Sequence, residues 1–314
     1  MTSDEPPQQR LPEWTAEHHV DAALAAELVG SQFPALRDHP VRLLAEGWDN
    51  TVHLVGGTWA FRFPRRQVAL PGVLREIDLL PRLAALLPVA VPVPELVGNP
   101  AGDYPWPFFG ARLLPGRELA DSHLPDDART PLGAAVGSFL RALHRPEVAR
   151  GLGSSLPSDP MCRALPAARA PMTRERLSRL ANRGTWAPDG EVSALLDGSL
   201  DLGSSTVEPV LVHGDLHLRH LLVDMHGAAS GVIDWGDLCL ADPSVDLSVA
   251  HSAFSGAARN ALLTAYGHPV GPEQETRARV LAVSLCAALA DYADTDARPA
   301  LLAESLAGLR RAVG

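Results

Sequence analysis

The prevailing spacing of the apolar residues shifts near residue 115, from mostly strand-like to mostly helical, and that shift decides the fold class. Before it come the short runs "VRLLAEG", "NTVHLVG" and "TWAFRFP", separated by "GWDN" and "GGT". Such runs suit pleated strands and the separators suit tight turns, so a three-stranded meander is predicted. "PGVLREIDLLPRLAALL" then predicts a helix, with proline in its first turn and Leu74, Ile77, Leu80 and Leu83 on one face. "VPVPELVG" and "PFFGARLLPG" add two strands, which gives the order β-β-β-α-β-β over residues 40–114. An earlier helix, "TAEHHVDAALAAELVGSQFPAL", carries Val20, Ala23, Leu24, Leu28 and Val29 at helical spacing and ends near Gly30 and Pro34.

After "LLPGREL" the pattern is helical: "PLGAAVGSFLRALHR", then 173–200, 255–267, 273–293 and 299–312, interrupted by a β pair at 209–224 and 230–234. A mostly antiparallel sheet followed by a mainly helical half predicts an α+β chain with two lobes, 14–114 and 115–314. The polar, proline-rich stretch 1–13 reads as a disordered tail.

Composition limits the partners. With 314 residues, 46% hydrophobic and 20% charged, the chain has ample material for a core and the balance of an ordinary globular protein. No basic segment precedes an apolar one at the N-terminus and no apolar run nears 18 residues, so a cytoplasmic protein without a membrane span is expected. A net charge of −10 argues against nucleic acid, which needs basic patches. Cys162, Cys239 and Cys286 are too scattered for a disulfide framework or a thiolate metal site and read as small buried residues. There is no lysine, so every cationic side chain apart from histidine is Arg. Such a compositional bias warns against assigning a function to each arginine.

The densest chemistry lies in "LVHGDLHLRHLLVD", Leu211 to Asp224, with three histidines and two aspartates. Three readings compete for it. His213, Asp215 and His217 alternate, so on a strand they would share one face as metal ligands of a hydrolase. Alternatively the segment is a polar turn between buried strands. The third reading is a phosphoryl-transfer loop, and "GVIDWGD" favours it, because a short apolar strand delivers Asp234 into a turn nineteen residues after Asp215. That chemistry needs one carboxylate for the attacking hydroxyl and oxygen ligands for Mg²⁺ on the nucleotide phosphates.

"HGDLHLRH" with "IDWGD" and "DPSVDLS" resembles the aminoglycoside phosphotransferase-like superfamily of small-molecule kinases, which share the protein-kinase fold. "GWDNTVHLV", "FRFPRR", "LREIDLL", "GARLLPG" and "FLRALH" agree with it in order, so the resemblance covers roughly residues 20–310 and is closest to the macrolide branch. It implies a small antiparallel N-lobe with a helix, a larger helical C-lobe, and transfer from ATP or GTP, with Mg²⁺, to a hydroxyl of a small molecule. An antibiotic, macrolide or aminoglycoside, is the acceptor so implied. By that resemblance Asp215 is the catalytic base, His217 steadies its turn, Asp234 is the principal Mg²⁺ ligand, and Asp246 holds the loop through backbone N–H groups.

Two positions depart from the wider family. His220 stands where asparagine usually supplies a metal-binding oxygen, and Arg62 stands for the usual nucleotide-contacting lysine. Both changes resemble the macrolide kinases. Arg62 can still meet the phosphates and fork with Glu76, fourteen residues on. The nucleotide loop "EGWDNT" has one glycine, Gly47, and offers Asp49, Asn50 and Thr51 as a polar turn. The hinge resembles Ala111–Pro115, including Arg112, Leu113 and Leu114, with Gly116 opening the helical lobe. Asp237 and Asp242 read as surface turn residues. For a polycationic acceptor the candidate carboxylates are Asp291, Asp294 and Asp296, with Asp201 and Glu208. A nucleotide-binding pseudokinase is the rival from another class.

Overall fold

The computed structural model describes residues 16–153 and 156–314; the stretch expected to be a tail lies outside them. The chain forms two compact units, one within Met1–Asp78 and Val93–Leu113, the other Leu79–Pro92 with Leu114–Gly314. The architecture is the α+β one expected.

In the first unit, helix α1 (Ala22–Gln32) starts where the Asp21 carboxylate accepts from the Leu24 N–H at 2.8 Å. Strands β1 (Val41–Glu46), β2 (Asn50–Val55) and β3 (Trp59–Pro64) precede helix α2 (Leu70–Leu83), and β4 (Pro94–Gly98) and β5 (Phe108–Arg112) follow it. They make one antiparallel sheet in the order β1-β2-β3-β5-β4. Phe61, Phe63 and Phe108 pack behind it against Leu28 and Val29 of α1. On α2 the buried stripe is Val73, Glu76, Leu80 and Leu83, whereas Leu74 is exposed. Leu74 was expected in that stripe. The face is rotated so that a carboxylate is buried in it, and apolar periodicity alone could not reveal that.

The second unit opens with β6 (Arg117–Glu118) and the helices α3 (Thr130–Leu143), α4 (Pro146–Leu152), α5 (Pro166–Asn182) and α6 (Gly190–Gly198). Strands β7 (Val210–Val212), β8 (Leu221–Val223), β9 (Ala229–Val232) and β10 (Cys239–Ala241) come next, then α7 (Ser244–Ser252), α8 (Gly256–Tyr266), α9 (Pro272–Thr295) and α10 (Pro299–Val313). The helix expected over 173–200 is two helices, because Gly184 turns the chain between them at φ +73°. The strand expected over 209–224 is also two: β7 pairs with β10, and β8 with β9 and β6. All nine residues of α7 are buried, its serines, Asp246 and His251 included, so it shows no apolar stripe opposite a polar face at helical spacing and the sequence reading missed it.

α3 and α8 approach closely at Gly133 and Gly137. A Cβ at Gly137 would stand 2.1 Å from the Leu262 carbonyl oxygen. Cys239 and Cys286 are buried as expected; Cys162 is exposed, in a turn at φ +47°. Among the described residues no helix is long and apolar enough to cross a membrane.

Candidate active site

β7 ends at Val212, and the next eight residues leave the strand and return as β8. His213, Asp215 and His217 therefore do not share a strand face, which removes the ligand pattern drawn from their alternation. Gly214 is needed for two reasons: its φ is +90°, and a Cβ there would lie 2.3 Å from the Asp237 carbonyl oxygen. The loop is anchored from below. Asp246, fully buried on α7, accepts from the His213 N–H at 2.7 Å and the Gly214 N–H at 3.0 Å, and meets His144 Nε2 at 3.1 Å. Its burial would push its carboxyl up, but the His144 hydrogen bond, the attraction of His144 and His213 in their protonated forms and the His213 N–H bring it below the usual range.

Three imidazoles surround Asp215. His213 Nδ1 accepts from the Asp215 N–H at 3.2 Å while Nε2 meets the Ile233 carbonyl at 3.0 Å. His217 Nδ1 accepts from the Arg219 N–H at 3.3 Å, leaving Nε2 3.5 Å from the Asp215 carboxylate. His220 Nδ1 donates to the Asp215 carbonyl at 2.8 Å, which turns Nε2 towards the Asp234 carboxylate at 3.4 Å. Burial lowers all three imidazoles, His217 to about 3, so they are neutral near pH 7. Burial also pushes the Asp215 carboxyl up to about 6, with Asp237 and Asp234 adding and His220 and Arg163 opposing. Its side chain is 27% exposed, so it can be reached.

Asp234 is carried just past β9 in the left-handed region, φ +64°, a conformation that short polar side chains tolerate. Trp235 beneath it is fully buried and packs 4.7 Å from the His213 ring. Asp215, His217 and His220 offer ligand atoms within 4.8 Å of one another. A neutral His220 presents an Nε2 lone pair on the side of the Asp234 carboxylate, so a cation held there would have both as ligands. Two carboxylates with this partner fit Mg²⁺, which usually takes one or two protein carboxylates together with phosphate oxygens.

Of the expected nucleotide residues, Asn50, Thr51, Arg62, Glu76, Arg112 and Leu113 lie in the first unit, and Leu114 in the second. Arg62 Nη1 donates to Glu76 Oε1 at 3.1 Å, and Glu76 is 1% exposed, so this is no surface pair. With the Asn50 amide turned so that its oxygen faces Arg62, it accepts from Nη2 at 2.8 Å. Thr51 is not in the polar turn: it lies in β2, fully buried, its hydroxyl without a hydrogen-bond partner among the described residues. Arg112 lies over the Trp59 ring at 3.9 Å, and the Leu113 N–H is already bonded to the Thr58 carbonyl at 2.8 Å.

Sequence reasoning passed over Arg163, which is buried between Asp159 at 2.9 Å and Asp237 at 2.7 Å. In a chain whose only cationic side chains besides histidine are arginines, nothing marked it. Asp242 is also not a surface residue: it is buried and accepts from the Ser244 N–H at 2.7 Å and from the Ser205 hydroxyl. Two carboxylates suggested for a polycationic acceptor are already engaged. Asp291 binds Arg179 and Arg183, each at 2.6 Å, and Asp294 binds Arg183 and the Thr185 hydroxyl.

The model of the phosphotransferase enzyme family matches residues 40–283. The chain belongs to this family. Members of known structure share its fold. One is the aminoglycoside phosphotransferase APH(2'')-IIIa with GDP and kanamycin, TM-score 0.65 at 22% identity, over 92% of this chain and 97% of that one. Another is the macrolide 2'-phosphotransferase MphH of Brachybacterium faecium, TM-score 0.53 at 26% identity, over 92% and 97%. A curated relative, YcbJ of Bacillus subtilis (strain 168), is 36% identical over 61 residues; the match spans 19% of this chain and 20% of YcbJ.

Proposed function

We propose that this phosphotransferase moves the γ-phosphoryl group of ATP or GTP to a hydroxyl of a small molecule. The observation that carries the reading is the pairing of Asp215 with Asp234 across His220, on a loop that Asp246 holds by two backbone N–H groups. Asp215 accepts the proton of the attacking hydroxyl, and its raised carboxyl suits a base working near neutrality. His217 and His220 orient it. Asp234 and His220 would hold Mg²⁺, whose chemistry when bound is to neutralise charge on the nucleotide phosphates.

The nucleotide lobe of this proposal is 14–114, with Arg62 braced by Glu76 and Asn50 for the phosphates; 115–314 is the catalytic lobe. A pseudokinase has no need to keep Asp215 and Asp234 together. Of the two antibiotic classes, the aminoglycosides are the less favoured, because Asp291 and Asp294 are already neutralised by arginine. The macrolide reading rests on the branch resemblance at His220 and Arg62.

The test is a nucleotide-consumption screen with ATP and GTP against macrolides, aminoglycosides and hydroxyl-bearing metabolites, run beside Asp215→Asn. The asparagine variant should lose kcat by about two to four orders of magnitude and keep nucleotide affinity, because proton acceptance belongs to the chemical step. Near-full activity in that variant removes Asp215 as the base.

A further inference from the structure

α5 and its C-cap carry five arginines, and three of them have carboxylates. Arg174 binds Asp197 at 2.6 Å, while Arg179 and Arg183 share Asp291. Arg169 and Arg176 do not. Arg169 donates from Nη2 to the Met161 carbonyl, and its Nε is buried without a partner among the described residues. Arg176 makes no hydrogen bond or ion pair among the described residues. The two are seven residues apart, two turns of one helix face, and both are half-buried.

Burial and like charge act on both. Arg169 is held below the ordinary arginine range by desolvation and by Arg163, with Asp159 opposing. Arg176 is lowered by desolvation and by Arg179 and Arg169, with Asp291 opposing. The compositional bias explains why these cations are arginine. It does not explain why a chain of net charge −10 leaves two of them half-buried on one helix face with no ion-pair partner among the described residues.

The stripe connects to the candidate active site through neighbouring residues. Arg163 next to Arg169 binds Asp237 and acts electrostatically on Asp215. Asp291 near Arg176 adjoins Tyr292, whose ring lies 5.5 Å from the Arg219 guanidinium of the catalytic loop.

We propose that Arg169 and Arg176, with Arg163 behind them, recognise an acidic group, carboxylate or phosphate, on the acceptor whose hydroxyl is phosphorylated. This rests on the phosphotransferase reading above but sets aside its macrolide acceptor, and names another class: a hydroxy compound bearing an anion. Guanidinium forks suit both anions, and a desolvated setting strengthens the contact.

The experiment titrates the full chain with sodium sulfate and with sodium malonate by calorimetry, at constant ionic strength kept with chloride. Wild type, Arg176→Gln, Arg169→Gln and Arg176→Lys are compared. Arg176 makes no hydrogen bond or ion pair among the described residues, and urea unfolding of each variant checks that it folds as wild type does. Saturable binding of at least one anion is expected, weakened roughly tenfold or more in Arg176→Gln and partly restored by lysine. Tighter sulfate assigns a phosphate and tighter malonate a carboxylate. No saturable binding, or affinity unchanged in both glutamine variants (an adventitious ion only), overturns the proposal. Turnover of an uncharged or cationic acceptor at the same kcat/KM by wild type and Arg176→Gln overturns it as well. Nucleotide binding is measured on the same samples: its loss with anion binding intact sinks the phosphotransfer reading and leaves the anion site standing.

Discussion

Replacing Asp246 separates what holds the loop proposed as catalytic from what would react on it. The carboxylate is fully buried and takes three hydrogen bonds, from the His213 and Gly214 N–H groups and from His144. In Asp246→Ala all three donors lose their acceptor inside a dry core. Each orphaned buried donor costs about 1–3 kcal/mol, and a buried charged partner removed outright typically costs about 3–5 kcal/mol. We expect about 3–5 kcal/mol for alanine, below the simple sum because the three sites adjoin and relax together. Asp246→Asn keeps the shape and one acceptor oxygen but turns an amide N–H₂ towards a backbone N–H, so about 1–3 kcal/mol is expected. Against a typical stability of about 5–15 kcal/mol, the alanine variant is marginal and the asparagine variant is folded.

Equilibrium unfolding in urea with an unchanged m-value measures both losses. In the folded asparagine variant kcat should fall, because Gly214 immediately precedes Asp215, while nucleotide affinity holds. The pH dependence follows from the sign of the shift. A carboxyl held below its unfolded value contributes stability that is present above about pH 4 and is lost as pH falls through the folded value. Wild type should therefore lose stability below about pH 4 more steeply than Asp246→Asn, with parallel curves from about pH 5 to 8. An alanine variant within about 0.5 kcal/mol of wild type, or an asparagine variant less stable than alanine, would refute the anchoring argument.

Asp234→Ala should abolish Mg²⁺-dependent turnover, whereas His220→Asn restores an oxygen ligand and should keep moderate activity; initial rates against Mg²⁺ concentration separate them. A loss in His220→Asn as complete as in Asp234→Ala would show a role for the imidazole beyond metal holding. Gly137→Ala drives a Cβ into the Leu262 carbonyl, a rigid backbone atom, so the α3–α8 contact must open. A loss of about 1–3 kcal/mol is expected in thermal or urea unfolding, despite alanine's better helix propensity, and a stabilised variant would contradict the packing.

Local periodicity carried much of this protein. The strands at 41–46, 50–55 and 59–64, the helices ending the chain, and the loop from His213 to His220 were legible because each follows from spacing, turn residues or motif. What failed was set by tertiary contacts. α7 has no polar face to detect, since every side of it is covered. Thr51 reads as a turn residue but is drawn into the sheet by pairing with Phe63. The acidic run at Asp291 and Asp294 reads as open charge, yet α5 brings Arg179 and Arg183 across from more than a hundred residues away. The same folding leaves Arg169 and Arg176 without an ion-pair carboxylate among the described residues. Sequence spacing records which groups neighbour each other along the chain. Whether a charge is paired, buried or waiting for a ligand depends on which distant element packs against it, and only the folded chain decides that.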